Sequence, residues 1–134
     1  MLDLVDTAFG NINLSILCKA VTQTGLIGTL RGGPFTILAP DNDAFAKMPD
    51  GMLDYLMENE SELKSILLYH LISGRHTVEE LTKLYSTNTA LDKPVEIQVS
   101  GKMLALNTSH VVTKNLEATN GLIHVIDKVL LPPK

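Results

Sequence analysis

Phe35-Thr36-Ile37-Leu38-Ala39-Pro40-Asp41-Asn42-Asp43-Ala44-Phe45 turns a strand into a helix within eleven residues. Phe35 to Ala39 is a short apolar run suited to a buried strand. Pro40 has no amide hydrogen and ends the run. Asp41 then reads as an N-cap, because its carboxylate can accept from the free N–H groups that open a helix. Ala44, Phe45 and Met48 form the inner face of that helix.

Upstream of this corner the chain reads helical. Leu14, Leu17, Cys18 and Val21 stand at i, i+3, i+4 and i+7, the spacing of one helix face. Gly25 follows as a C-cap, and Gly32-Gly33-Pro34 breaks the chain before the strand. Downstream, Pro49 precedes a short helix with Met52, Leu53, Leu56 and Met57 inward. The spacing predicts a longer helix from about Glu60 to Ile72, with Asn59 and Glu62 as a capping box. Leu63, Ile66, Leu67, His70 and Leu71 form its stripe, which puts His70 on the buried face. Gly74 closes that helix. Thr77-Val78-Glu79-Glu80 is a second capping box, followed by Val78, Leu81, Leu84 and Tyr85 as the apolar positions.

After Asn88 the period changes from 3.6 to 2. Val95, Ile97 and Val99 alternate with polar residues, as in a half-exposed strand. Gly101-Lys102 marks a turn, and Met103 to Leu106 and His110 to Lys114 read as two further strands. Asn120-Gly121 is the strongest hairpin signal, a pair expected at positive φ. It feeds the apolar run Leu122-Ile123-His124-Val125-Ile126. One strand early, helices first and strands mostly last is an α+β order.

The 134 residues fit one domain with one core, spanning 1–134. A hydrophobic share of 45% against 19% charged residues is that of an ordinary globular chain rather than a disordered one. The net charge is −4, and Lys102, Lys114, Lys128 and Lys134 are scattered. Nucleic-acid binding needs a basic face that neutralises phosphates, so no nucleic-acid partner is expected. The single cysteine, Cys18, excludes an internal disulfide. No apolar run reaches the length of a membrane span, and Met1 to Gly10 does not read as a signal peptide. The closing Leu131-Pro132-Pro133-Lys134 reads as the start of a linker, so the chain is expected to be a piece of a longer precursor that carries any signal or anchor.

Three segments together resemble the fasciclin domain family. They are Phe35 to Phe45, the Tyr-His segment Leu67-Leu68-Tyr69-His70-Leu71-Ile72-Ser73-Gly74, and the closing segment Asn120 to Pro132. They occur in order and at domain-length spacing over essentially the whole chain. Shortness, lean loops and the lack of paired cysteines make the chain more similar to a microbial member than to an animal one. The resemblance implies an α+β domain in which a wedge of two sheets is packed by several helices. It implies a non-enzymatic module of cell adhesion, extracellular or attached to the cell envelope. The partners so implied are a cell-surface or matrix protein or a glycan. A self-associating structural domain of a larger envelope protein is the alternative.

Two roles stand open for the Tyr-His segment. His70 is a core histidine with both ring nitrogens satisfied, or Leu68, Tyr69, His70, Leu71 and Ile72 form a partner-binding surface, as the resemblance to integrin-binding animal members implies. The animal members carry a second element, an Asp-Ile pair ahead of the closing segment. The matching stretch here is Lys114-Asn115-Leu116-Glu117-Ala118, without that carboxylate, which argues against binding through an integrin's metal.

Other chemistries lack their residues. His70, His76, His110 and His124 show no close pair of the kind that zinc sites use. Cys18 sits on an apolar stripe, where packing explains it. There is no Gly-x-Ser-x-Gly and no phosphate loop. Asp41-Asn42-Asp43 lacks the Gly and Glu of a calcium loop. No catalytic residue, metal or cofactor is therefore expected. Asn13, Asn59 and Asn107 head Asn-x-Ser/Thr sequons, for which turn or capping roles are the simpler explanation.

Overall fold

The computed structural model describes residues 3–100, 103–107 and 109–130. The expected Gly101-Lys102 turn, Thr108 of the third sequon and the closing residues 131–134 lie outside them. The N-terminal third is α1 (Leu4–Phe9), a 3-10 turn (Ile12–Leu14), α2 (Ser15–Thr24) and α3 (Ile27–Arg31). Strand β1 (Phe35–Pro40) leads into α4 (Asn42–Ala46), α5 (Met52–Glu58) and α6 (Glu60–Leu68). Then follow β2 (Leu71–Ser73), α7 (Val78–Leu81), β3 (Ser86–Asn88), β4 (Pro94–Ser100), β5 (Met103–Leu106), β6 (Ser109–Ala118) and β7 (Gly121–Ile126).

The seven strands run in the order β2-β1-β7-β6-β5-β4-β3. β1 and β7 are parallel, and every other neighbouring pair is antiparallel. The sheet bends into a barrel-like wedge whose far ends meet: the Ala90 amide donates to the Leu71 carbonyl at 2.8 Å. β1 and β7 have both faces covered, which is why they read as runs that are apolar but for Thr36 and His124. On β1, Ile37 and Ala39 face a core filled by the helices, while Leu38 faces a second core inside the wedge with Val95, Ile97, Leu104 and Ile126.

The caps divide. The Asp41 side chain accepts from the Ala44 amide at 2.8 Å, and Thr77 Oγ1 accepts from Glu80 N at 3.1 Å. Gly25 ends α2 at φ 74°. The Asn59–Glu62 box does not form. Asn59 alone separates α5 from α6, and its side-chain amide is drawn back to the Tyr55 carbonyl at 2.7 Å, while Glu62 accepts from the Tyr55 hydroxyl at 3.0 Å.

The helix expected to reach Ile72 stops at Leu68. Its apolar continuation enters the sheet as β2, pairing Leu71 with Ile37 and Ile72 with Thr36. Helix and strand both bury Leu71, and the free edge of β1 decides between them. α7 likewise ends at Leu81, leaving Leu84 partly and Tyr85 almost wholly exposed.

The hairpin after β6 pairs Ala118 with Gly121, so Thr119 and Asn120 make the turn. Neither Asn120 nor Gly121 has positive φ; among the described residues such values fall at Gly25, Gly51, Gly74, Asp92, Asn107 and Asn115. Glycine is needed at 121 for a different reason. A Cβ there would stand 1.9 Å from the Phe35 carbonyl oxygen, and Phe35 is the partner of Gly121 in the parallel ladder.

Candidate functional site at the tyrosine–histidine corner

Where α6 ends, the chain turns through Tyr69 and His70 before entering β2. The Tyr69 amide donates to the Ser65 and Ile66 carbonyls, and the His70 amide to that of Leu67 at 3.0 Å. This last helical turn swings both side chains inward. Tyr69 is 1% exposed and His70 2%. Leu71 and Ile72 are buried as well, and Leu68 is half-buried. Of the five residues proposed from sequence as a partner surface, only Leu68 therefore offers part of a side chain to solvent in the folded domain.

Each buried polar group here has a defined partner. The Tyr69 hydroxyl donates to the Pro94 carbonyl at 2.6 Å and accepts from Asn107 Nδ2 at 3.1 Å. Asn107, at φ 55°, uses its Oδ1 to accept from the Glu96 amide at 2.8 Å. His70 Nδ1 lies 2.7 Å from the Ile66 carbonyl, which can only accept, so Nδ1 carries the hydrogen. His70 Nε2 is then free to accept from the Leu130 amide at 2.9 Å. Burial lowers the His70 pKa from 6.5 to about 4, so the ring is neutral near pH 7.

A second buried histidine repeats this pattern on β7. His124 is fully buried; its Nδ1 accepts from the Asn115 amide at 3.0 Å, and its Nε2–H donates to the His76 carbonyl at 2.9 Å. Burial pushes its pKa down too. Asn115 sits at φ 56°, where the β6–β7 register shifts between Thr113 and Leu116. Its Oδ1 accepts from the Val78 amide at 3.0 Å, and its Nδ2 donates to the Glu79 carboxylate at 3.1 and 3.2 Å. That hydrogen bond holds the Glu79 carboxyl below its ordinary value. The position matching the animal Asp-Ile pair thus faces helix α7 and fixes its first turn to the sheet.

The roles of Asn107, Asn115 and Asn120 escape sequence reasoning. Each side chain bonds backbone groups of a distant segment, and at 107 and 115 it also tolerates the left-handed backbone. A single Asn beside Leu106, Leu116 or Gly121 carries no signal of which distant backbone groups it will meet.

Elsewhere the reactive residue types are dispersed. His76 Nε2 donates to the Ser73 carbonyl at 2.9 Å, and His110 stands 3.8 Å from Asp127. Among the described residues, no three His, Cys, Asp or Glu side chains come together around a common point. Burial raises the Cys18 thiol pKa, which disfavours the nucleophilic thiolate. An apolar cavity of about 20 Å³ is lined by Phe9, Leu17, Cys18, Leu67 and His70 among others. That is smaller than the few hundred Å³ typical of a small-molecule site. An open surface hollow of about 680 Å³ adjoins it, bordered by Ile12, Cys18, Lys19 and the half-exposed Phe9. No described helix is long and apolar enough to cross a membrane.

Comparison with known proteins agrees with this architecture. The fasciclin domain family model matches residues 12–132. The Synechocystis sp. protein sll1735 is 36% identical over 132 residues, covering 98% of each chain. The cell surface glycolipoprotein MPB83 of Mycobacterium bovis is 32% identical over 133 residues, 94% of this chain and 59% of that protein. A solved fasciclin domain pair from the insect cell adhesion molecule fasciclin I superposes with a TM-score of 0.71 at 18% identity, over 90% of this chain and 46% of that one. The sheet order, the corner at Tyr69-His70 and the matched span lead to one conclusion: the chain belongs to the fasciclin domain family, a family found in adhesion and cell-surface proteins.

Proposed function

We propose that residues 1–134 act as one non-catalytic recognition domain, outside the cell or held at its envelope, whose partner is a surface or matrix protein or a glycan. The observation that carries this is the use made of the polar side chains at the candidate site. Tyr69, His70, His124 and Asn115 all have their polar atoms engaged by the chain's own backbone and neighbours. Groups buried and bound in this way hold the fold together. The family's presence in adhesion and cell-surface proteins points the same way.

Leu68, Tyr69, His70, Leu71 and Ile72 enter this proposal as the frame behind the contact surface, with Leu68 as the member within a partner's reach. The test is saturable binding of the labelled, folded domain to intact cells of its source, with a heat-unfolded control. Binding that saturates and disappears on unfolding supports recognition. Binding equal in both states, or none up to high micromolar concentration, contradicts it.

Self-association is the second reading. It is favoured by Phe9 and Ile12, which are 49% and 84% exposed beside the open hollow. Sedimentation over a concentration series separates the two: a mass that rises with concentration supports association between copies.

A further inference from the structure

Asn120-Gly121 is the only Asn-Gly in the chain, and the fold leaves little choice at either position. Position 121 accepts no side chain because of the Phe35 carbonyl. Position 120 needs an acceptor and two donors on one planar group. Its Oδ1 accepts from the Leu4 amide at 2.8 Å, while its Nδ2 donates to the Leu30 and Arg31 carbonyls at 2.8 and 3.2 Å. A carboxamide supplies that set, and a carboxylate does not. Its backbone carbonyl also accepts from the Phe35 amide at 3.1 Å.

The same dipeptide is chemically labile. With no Cβ at the second residue, its peptide nitrogen reaches the preceding carboxamide with little hindrance. A bond forms between Gly121 N and Asn120 Cγ, and the Cγ–Nδ2 bond breaks. The Gly121 amide proton leaves with Nδ2 as ammonia, giving a five-membered succinimide. Water opens that ring at either carbonyl, leaving aspartate or isoaspartate in place of Asn120.

We propose that Asn120-Gly121 is a latent deamidation site, closed while α1 and α3 are docked on the β6–β7 turn and open once they leave. Ring closure requires the carboxamide to swing over the Gly121 nitrogen and to release Nδ2, which breaks all three side-chain bonds. Those bonds run to Leu4 of α1 and to Leu30 and Arg31 of α3. The two helices are themselves tied by Arg31 to Asp3 at 2.6 Å, and Leu4 is fully buried. Reaction also prevents return. The aspartate product would have no hydrogen to offer the Leu30 and Arg31 carbonyls. Isoaspartate would route the main chain through Cβ and Cγ and turn the Asn120 carbonyl that accepts from Phe35 N into a free carboxylate. Deamidation therefore makes an otherwise reversible opening of the N-terminal helices permanent.

The experiment holds the full chain in mildly alkaline buffer without urea, in urea below the unfolding transition, and in unfolding urea. A peptide spanning Glu117 to His124 sets the intrinsic rate. Peptide mapping reads amide-to-acid conversion and isoaspartate at position 120. The folded chain is expected to convert at least roughly ten-fold more slowly than the peptide, because the reaction tracks the open population. The rate should rise in urea below the global transition, as local opening allows. The converted fraction, separated by charge, should melt below the unconverted one. Conversion of the folded chain at the peptide's rate, or a converted fraction with unchanged Tm, would overturn the proposal. Asn120→Asp made directly should lower Tm without any prior chemistry, and an unchanged Tm would equally overturn it.

Discussion

His70 and His124 are the residues on which the local architecture turns. Each ring donates once to a carbonyl and accepts once from a backbone amide, at Leu130 for His70 and at Asn115 for His124. Protonation would place a second ring N–H against an amide N–H. The unfolded chain takes up this proton near pH 6.5, whereas folded His70 resists it until about pH 4. The stability His70 supports is therefore complete above pH 6.5 and falls as the pH drops through that window. Lowering the His70 pKa from 6.5 to about 4, at about 1.4 kcal/mol per pKa unit, corresponds to roughly 3 kcal/mol. Urea unfolding between pH 7 and 4 should show a loss of that order, and His70→Ala should flatten the slope. A stability unchanged over that range would mean that the buried ring is not held neutral. The stripe of the helix expected over Glu60 to Ile72 places His70 inside from sequence alone, although α6 itself ends at Leu68. Its acceptor contact could not be read, because Leu130 lies 60 residues further along the chain.

At the scale of elements, β1 and β7 are the parts most legible in sequence, since both of their faces are buried and little but apolar residues fit. The extent of α6 was the part least legible. Leu71 continues the helical stripe and also suits a strand, and only the presence of β1 alongside decides. Gly121 shows the same limit, because the Asn-Gly signal locates the hairpin but sets the turn one residue late, at Asn120-Gly121 instead of Thr119-Asn120, and assigns the glycine to backbone conformation. Its need is clearance from Phe35, a contact across the sheet between residues far apart in sequence. Two alanine substitutions separate these causes. Gly25→Ala meets no atom within 4 Å and pays only for its left-handed φ of 74°, about 1–2 kcal/mol. Gly121→Ala must push the β1 backbone away, and a loss of at least about 4 kcal/mol is expected. Denaturant unfolding of both variants checks this; equal losses would remove the clearance argument.

For the molecule as a whole, the sheet brings its two ends together while the helices cover one side, and the polar residues that might have been catalytic serve to lock segments to one another. Asn107 holds Tyr69 against β4, Asn115 holds α7, and Asn120 holds α1 and α3. Fold class and family were legible because they rest on runs and motifs. The locking asparagines were not, because each depends on which distant backbone groups arrive beside it. The proposed function assigns recognition to the outer surface, with the Tyr-His corner as part of the frame beneath it.

That division is tested most directly by measuring cell binding and thermal stability side by side for the wild-type domain and His70→Ala, at a temperature where both are folded. The variant leaves the Leu130 amide without its partner, removes one of two donors to the Ile66 carbonyl and opens a cavity, which should cost about 2–4 kcal/mol and lower Tm. If the corner is a frame, Kd for the cell surface stays that of the wild type. A Kd weakened ten-fold or more at unchanged Tm would show instead that His70 itself meets the partner.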